Sequence, residues 1–178
     1  GPNGEALELT SLMQTAKTLV VEQEVTTVPH LKAQSKVARN THSAVFVEVE
    51  VDEALGKVRV TRVVSAIAAG RIMNLKTARS QIQGAVVWGI GMALHEETHV
   101  HHALGRYAIA TLSEYHVPVN ADIGEIDVIF VPEEDRVVNP LGAKGVGEIG
   151  IVGVAAAVAN AVFHATGNRI RSLPLTLD

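Results

Sequence analysis

The sequence predicts an α+β fold, in which mixed strands and helices follow one another without a repeating βαβ unit. Two adjacent stretches in which apolar residues alternate with polar ones predict a β-hairpin. Two apolar stretches with helical spacing predict a long glycine-containing helix and a buried C-terminal helix. The chain has 178 residues, of which 47% are hydrophobic and 19% charged, so it is large enough to form one domain with its own core.

The regular pattern begins after a lead-in segment, residues 1–38, and the main domain is assigned to residues 39–178. Valines alternate with other residues over 45–51, which is typical of a strand with one solvated face. Residues 52–56 have the composition of a turn, and the alternation resumes over 57–68. These segments predict the two strands of a hairpin.

A long helix is predicted over 77–97, where apolar residues including Ile82 and Ile90 recur at helical spacing. Glycine in a helix interior costs about 1 kcal/mol relative to alanine, so glycines here indicate close packing of the helix backbone. Trp88 and Met92 lie one turn apart and are interpreted as core residues. The glycines are Gly84, Gly89 and Gly91.

Two short β-like segments follow, at 100–109 and 126–131. The last regular element is a helix over 150–166, ended by Gly167, a residue typical of the position after a helix C-terminus. Residues 149–168 carry no formal charge, which raises the alternative of a membrane span. The polar residues within this stretch and its many alanines and glycines favour a helix buried in a larger protein, and no span is expected.

Composition excludes several classes of function. The net charge is −4, from 15 basic and 19 acidic residues without a basic cluster, so nucleic acid is not an expected partner. Cysteine is absent, which removes disulfides, thiolate metal ligands and cysteine nucleophiles. The amino terminus has neither a basic stretch nor an apolar run, so no signal peptide is expected in this chain. The expected location is the periplasm or the cytoplasm of a bacterium.

Residues 145–150 satisfy the GxGxxG pattern, which in dinucleotide-binding proteins follows a strand directly. That context is missing here, but glycines before a helix still allow a ligand to approach the backbone closely. Glu148 lies between these glycines and has two interpretations. It is either a helix-capping carboxylate or a general base in a site of low dielectric constant.

Residues 95–99 satisfy HExxH, which on a helix places His95 and His99 one turn apart as zinc ligands. A zinc metallopeptidase is therefore the main alternative function. The motif lies at the predicted end of the helix, and the longer metzincin spacing does not follow.

Gln81 lies near the start of the long helix. A primary amide both donates and accepts hydrogen bonds and so suits the edge of a heterocycle or an oxo group. The other interpretation is an ordinary surface residue.

Five ordered blocks of sequence resemble the C-terminal part of the molybdenum-binding subunit of the xanthine dehydrogenase and aldehyde oxidase family. The resemblance extends from about Arg39 to Asp178 and is greatest to the bacterial, often periplasmic, aldehyde oxidoreductase branch. The blocks are Val47–Asp52, Gln81–Gly84, Gly89–Glu97, Tyr115–Pro118 and Lys144–Glu148.

The resemblance implies roles for single residues. Glu148 matches the family's active-site glutamate, which takes a proton from a metal-bound hydroxide while hydride passes from the substrate to a molybdenum-sulfido centre. Gln81 matches a glutamine that hydrogen-bonds the molybdopterin cofactor, and Gly147 matches a point where the backbone approaches the metal site. No residue of this chain is expected to ligate the metal. The double glutamate at 96 and 97 matches the same family and so argues against zinc.

The resemblance also implies cofactors and partners. The full subunit would bind molybdopterin, as the cytosine dinucleotide, with molybdenum, and would work with a [2Fe-2S] subunit and an FAD subunit. Its substrates would be aldehydes or N-heterocycles such as purines. The family's upstream cofactor contacts are not in this sequence, so the chain alone is expected to hold no cofactor and to be inactive. A non-catalytic binding module is the remaining alternative, against which the intact block at 144–148 argues.

Overall fold

The computed structural model describes residues 6–26 and 31–176. Gly1–Glu5, on which the expected absence of a signal peptide depends, lie outside the described residues. Helices and strands are mixed along the chain, so the predicted α+β class is confirmed. The elements are α1 Leu9–Thr15, α2 Leu31–Gln34, β1 His42–Asp52, β2 Lys57–Ala68, α3 Leu75–Leu94, β3 Val100–His101, β4 Arg106–Tyr107, a 3-10 turn at Asn120–Asp122, β5 Glu125–Phe130, α4 Ile149–Val152 and α5 Val154–Thr166.

The predicted hairpin is confirmed: β1 and β2 pair antiparallel, with Phe46 opposite Val64 and a register shift between Glu48 and Val49. The turn forms because Asp52 Oδ1 accepts hydrogen bonds from the backbone N–H groups of Ala54 and Leu55, each at 3.0 Å. Gly56 closes the turn with φ +59°, a conformation that favours glycine.

The third strand, β5, pairs parallel with β2, so that the sheet order is β1-β2-β5. Helix α3 lies between β2 and β5 in the sequence and provides the crossover that parallel strands require. The short strands β3 and β4 form a separate two-stranded ribbon, with Gly105 at φ +61° in its turn. The mixed sheet agrees with an α+β fold rather than a doubly wound one.

Helix α3 begins two residues earlier than the predicted 77–97 because the side chain of Asn74 caps it, accepting from Lys76 N at 3.0 Å and Thr77 N at 3.1 Å. It ends at Leu94, where the next two backbone N–H groups both donate to Gly91 O. The glutamates and histidines that follow therefore lie outside the helix.

The predicted helix over 150–166 is interrupted at Gly153 and divides into α4 and α5. Gly167 ends α5 with φ +77°, as predicted. Helix α5 buries one stripe, Val154, Val158 and Val162, rather than its whole circumference. Within the described residues, one stretch, Ile149–Thr166, has the length and apolar composition of a membrane span, but a core helix of a soluble protein meets the same criterion.

The core lies between the sheet and helices α3, α4 and α5. Ile82, Val86 and Ile90 of α3 are buried, as their helical spacing predicts. They pack with the inward residues of β2 and with the buried stripe of α5. Helix α3 thus packs against the start of α4, and this contact brings the predicted site residues together.

Candidate cofactor-binding site

The structure brings together the three residues that the sequence singles out. Gln81 lies on the second turn of α3, and its Nε2 donates to Gly147 O at 2.7 Å. Glu148 follows Gly147 and immediately precedes α4. Residues 66 positions apart in the sequence thus share one surface.

This surface is a cleft of about 330 Å³ lined by Gln81, Gly147 and Glu148 together with Gly84 and Trp88 of α3. A second cleft, of about 360 Å³, shares Gln81 and Gly147 and extends toward Arg71. A larger cleft, of about 740 Å³, lies between the hairpin turn and the end of α5 and contains none of the predicted site residues. The chemistry of the lining residues, rather than size, identifies the first cleft as the candidate site.

Glu148 occupies the N-cap position of α4, but its side chain makes no capping hydrogen bond. The capping interpretation is thus confirmed for the position of Glu148 but not for a capping hydrogen bond. The side chain is exposed within the described part of the chain, so this chain alone does not provide the expected surroundings of low dielectric constant. The carboxylate is left available to a ligand in the cleft.

The loop before Glu148 is held at its start by the end of β2. Gly70 forms an isolated antiparallel bridge with Ala143, and Arg71 N donates to Gly142 O at 2.8 Å. A Cβ at Gly70 would overlap the backbone O of Gly142, and φ there is +66°, so glycine is required at this close approach.

Three charged side chains, one from the loop and two from the segment after β5, form a cluster. Lys144 Nζ pairs with Glu133 Oε1 and lies 3.2 Å from Asp135 Oδ2. The hydrogen bond from Lys144 lowers the pKa of Glu133, and the same bond raises the pKa of Lys144. Burial tends to raise the pKa of Asp135, but Lys144 and two backbone N–H groups outweigh it and the pKa is lowered.

The cleft residues fit a flat organic group held by hydrogen bonds. A Cβ added at Gly84, Gly145 or Gly147 would meet no atom within 4 Å, so a ligand can approach the backbone there. Gln81 uses its Nε2 on Gly147 and keeps an acceptor oxygen for a ligand N–H. Among residues 6–26 and 31–176, no group of three His, Asp or Glu side chains could hold a metal ion.

The structure does not provide the helical geometry that the zinc alternative requires. His95 is the C-cap of α3 and His99 lies beyond the helix, so the two imidazoles are not one helical turn apart. His99 Nε2 instead pairs with Glu97 Oε2 at 3.0 Å. Glu96 accepts a hydrogen bond from the hydroxyl of Tyr115 at 3.0 Å, which joins two of the resembling blocks and raises the pKa of Tyr115.

Three residues of α3 differ from the sequence-based interpretation. Trp88 and Met92 are 54% and 39% exposed, so they are not core residues. Gly84 does not pack against anything, although Gly89 and Gly91 do, as predicted. Gly84 and Trp88 line the cleft instead, and helical spacing could have found them, because positions 81, 84 and 88 share one helix face.

Comparisons with known proteins identify the family of the chain. Residues 5–124 match the family model described as the molybdopterin cofactor-binding domain. The chain is 51% identical over 140 residues to the aldehyde oxidoreductase molybdenum-binding subunit PaoC of Escherichia coli, covering 79% of this chain and 19% of that protein. It is 36% identical over 150 residues to the xanthine dehydrogenase molybdenum-binding subunit of the same species, covering 82% and 20%.

The fold has a solved counterpart in the aldehyde oxidoreductase of Desulfovibrio gigas, with a TM-score of 0.67 and 32% identity over 75% of this chain and 14% of that one. The fold and the family model together define a cofactor-binding domain. The chain belongs to the molybdopterin cofactor-binding domain family. It spans about a fifth of the length of the curated relatives it matches.

Proposed function

We propose that this chain is the C-terminal cofactor-binding part of a molybdenum hydroxylase subunit that oxidises aldehydes or N-heterocycles, with residues 39–178 as the binding domain. The carrying observation is that Gln81, Gly147 and Glu148 meet in one cleft although the sequence separates them. The names of the relatives, aldehyde oxidoreductase and xanthine dehydrogenase molybdenum-binding subunits, support the same reaction class.

Each residue has a distinct task in this proposal. Gln81 orients the cofactor edge through its free amide oxygen, while its Nε2 keeps Gly147 in place. Gly147 leaves the backbone open to close approach. Glu148 accepts the proton of the oxygen nucleophile as general base. The bound molybdopterin group supplies the two-electron acceptor of the reaction.

The remaining parts of the enzyme belong to the same proposal. The two electrons must leave the site, and a [2Fe-2S] subunit followed by an FAD subunit provides the route. The pterin carries a cytosine dinucleotide, and the enzyme is bacterial, in the periplasm or the cytoplasm. The relatives are themselves named as subunits, which supports assembly with partners.

Glu148→Gln tests the catalytic assignment in the complete subunit, with this chain in its natural place and the partner subunits present. Glutamine keeps the shape of the side chain but removes the base, so kcat for aldehyde oxidation should fall by at least about 100-fold. Molybdenum content, measured by elemental analysis, should stay unchanged because Glu148 is not a ligand.

Glu50→Gln is the matched control, because Glu50 is an exposed carboxylate on β1, outside the cleft. It should keep full activity. If Glu148→Gln retained the activity of the wild type, the general-base role of Glu148 would be wrong, and this chain would contribute to cofactor binding without supplying the base. The 178-residue chain alone should show no turnover.

A further inference from the structure

Lys144 is buried to an extent unusual for a lysine. Its side chain is only 5% exposed, and lysines are almost never buried unless they are paired. Its ammonium group contacts Glu133, Asp135 Oδ2 at 3.2 Å and the backbone O of Asn40 at 3.4 Å. Two carboxylates and a carbonyl thus surround one positive charge.

Both carboxylates are held in place independently of Lys144. Glu133 Oε2 accepts a hydrogen bond from Gly70 N at 2.9 Å. Asp135 Oδ1 accepts from Val137 N at 3.1 Å and Val138 N at 3.2 Å. The receptor for the ammonium is therefore built on the end of β2 and on the chain that follows β5, and it does not have to form around the lysine.

The segment between Lys144 and Glu148 has little stiffness of its own. Two of its three residues are Gly145 and Gly147, and glycine backbone is conformationally permissive. Single hydrogen bonds hold the two glycine carbonyls: Thr41 Oγ1 donates to Gly145 O at 2.8 Å, and Gln81 to Gly147 O at 2.7 Å. At the start of this segment, Lys144 N donates to Ala69 O at 2.9 Å, and the buried ammonium adds a charge-assisted anchor on its other side.

We propose that Lys144 is a positioning residue, which fixes the start of the segment 145–148 on the preformed Glu133–Asp135 receptor and so sets where Glu148 lies in the cleft. The consequence for catalysis rests on the proposed function, but the mechanical claim does not. If Lys144 only stabilised the fold, its removal would speed hydrogen exchange in β2 and in the loop alike. If it positions the loop, its removal speeds hydrogen exchange in the loop first.

The test uses Lys144→Met in the 178-residue chain, with Lys57→Met at the hairpin as the control for loss of an exposed lysine. Hydrogen exchange measured by NMR should become at least about tenfold faster at the N–H groups of residues 145–149, with β2 unchanged. Trp88, the single tryptophan, lines the same cleft, so acrylamide quenching of its fluorescence should also change. Lys57→Met should behave as the wild type in both measurements.

Lys144→Met leaves two carboxylates without their cation, so the protein could fail to fold. The triple variant Lys144→Met, Glu133→Gln and Asp135→Asn then takes its place, because it removes all three charges and keeps the side chains similar in shape. Faster loop exchange in the triple variant supports positioning by the charged anchor. Exchange equal to the wild type in the loop, or a uniform increase over β2 and the loop, overturns it.

In the complete subunit, Lys144→Met should lower kcat for the aldehyde while KM and molybdenum content stay unchanged. The failure of this inference is distinct from the failure of the proposed function. Faster loop exchange in Lys144→Met together with full activity of Glu148→Gln would reject the general base and keep the positioning residue.

Discussion

Ser65 is a fully buried residue of β2 whose hydroxyl has no hydrogen-bond partner among the described residues. A buried polar group without a partner loses its hydrogen bonds to water on folding and gains none in return. Its neighbours across the sheet are Val45 on β1 and Val128 on β5, both apolar. The hydroxyl therefore opposes folding at this position.

Ser65→Ala should raise the free energy of unfolding by about 1 kcal/mol, because it removes the unpaired hydroxyl with little change in volume. Urea unfolding followed by circular dichroism measures the change. Ser43→Ala, on β1, is the control and should change stability little. A loss of stability in Ser65→Ala would show that the hydroxyl has a partner in solution, such as a bound water.

The candidate residues of the site could be named from the sequence, but their contacts could not. The order of the blocks identifies Gln81, Gly147 and Glu148, whereas the hydrogen bond between Gln81 and Gly147 depends on how α3 packs on α4. The pairing of Lys144 with Glu133 likewise joins two segments that no local pattern connects. Contacts between distant segments follow from packing, which short-range periodicity does not encode.

At the scale of the element, α3 carries glycines of two kinds. A Cβ at Gly89 would lie 2.5 Å from Val154 Cβ, so this glycine allows α3 and α5 to approach closely. Gly84 faces open space in the cleft, so nothing inside the described chain requires glycine there. Glycine weakens a helix, and under the proposed function its presence at 84 leaves the backbone open to the cofactor.

The pair Gly84→Ala and Gly89→Ala separates these roles within one helix. Gly84→Ala should stabilise the chain by about 0.5 to 1 kcal/mol, because alanine favours the helix and meets no atom. Gly89→Ala should destabilise it by about 1 to 3 kcal/mol through overpacking against Val154. Thermal unfolding of both variants tests this prediction, and an equal effect of the two substitutions would contradict it.

At the scale of the whole molecule, the Lys144 cluster makes stability depend on pH. The pKa values of Glu133 and Asp135 are lowered by folding, so their contribution is present above their usual pKa values and is lost as pH falls through the lowered ones. The pKa of Lys144 is raised, so its contribution is present below its usual pKa and is lost as pH rises through the raised one.

The difference in unfolding free energy between the wild type and Lys144→Met should therefore be largest between about pH 5 and pH 10 and should shrink on both sides. Urea unfolding across this range measures it. The control pair, wild type against Lys57→Met, should show a small difference with little pH dependence. A difference that stayed constant below pH 4 would mean that the carboxylates do not form this cluster.

The sequence by itself determined the local elements and the family. Alternation predicts β1 and β2 with their turn, helical spacing predicts the buried face of α3, and Gly167 predicts the end of α5, because each depends on residues close in the chain. The tertiary structure alone decided the parallel pairing of β5 with β2, the exposure of Trp88 and the end of α3 at Leu94, before His95. These outcomes depend on which surfaces meet across long sequence distances, and burial is settled only when the whole core has formed.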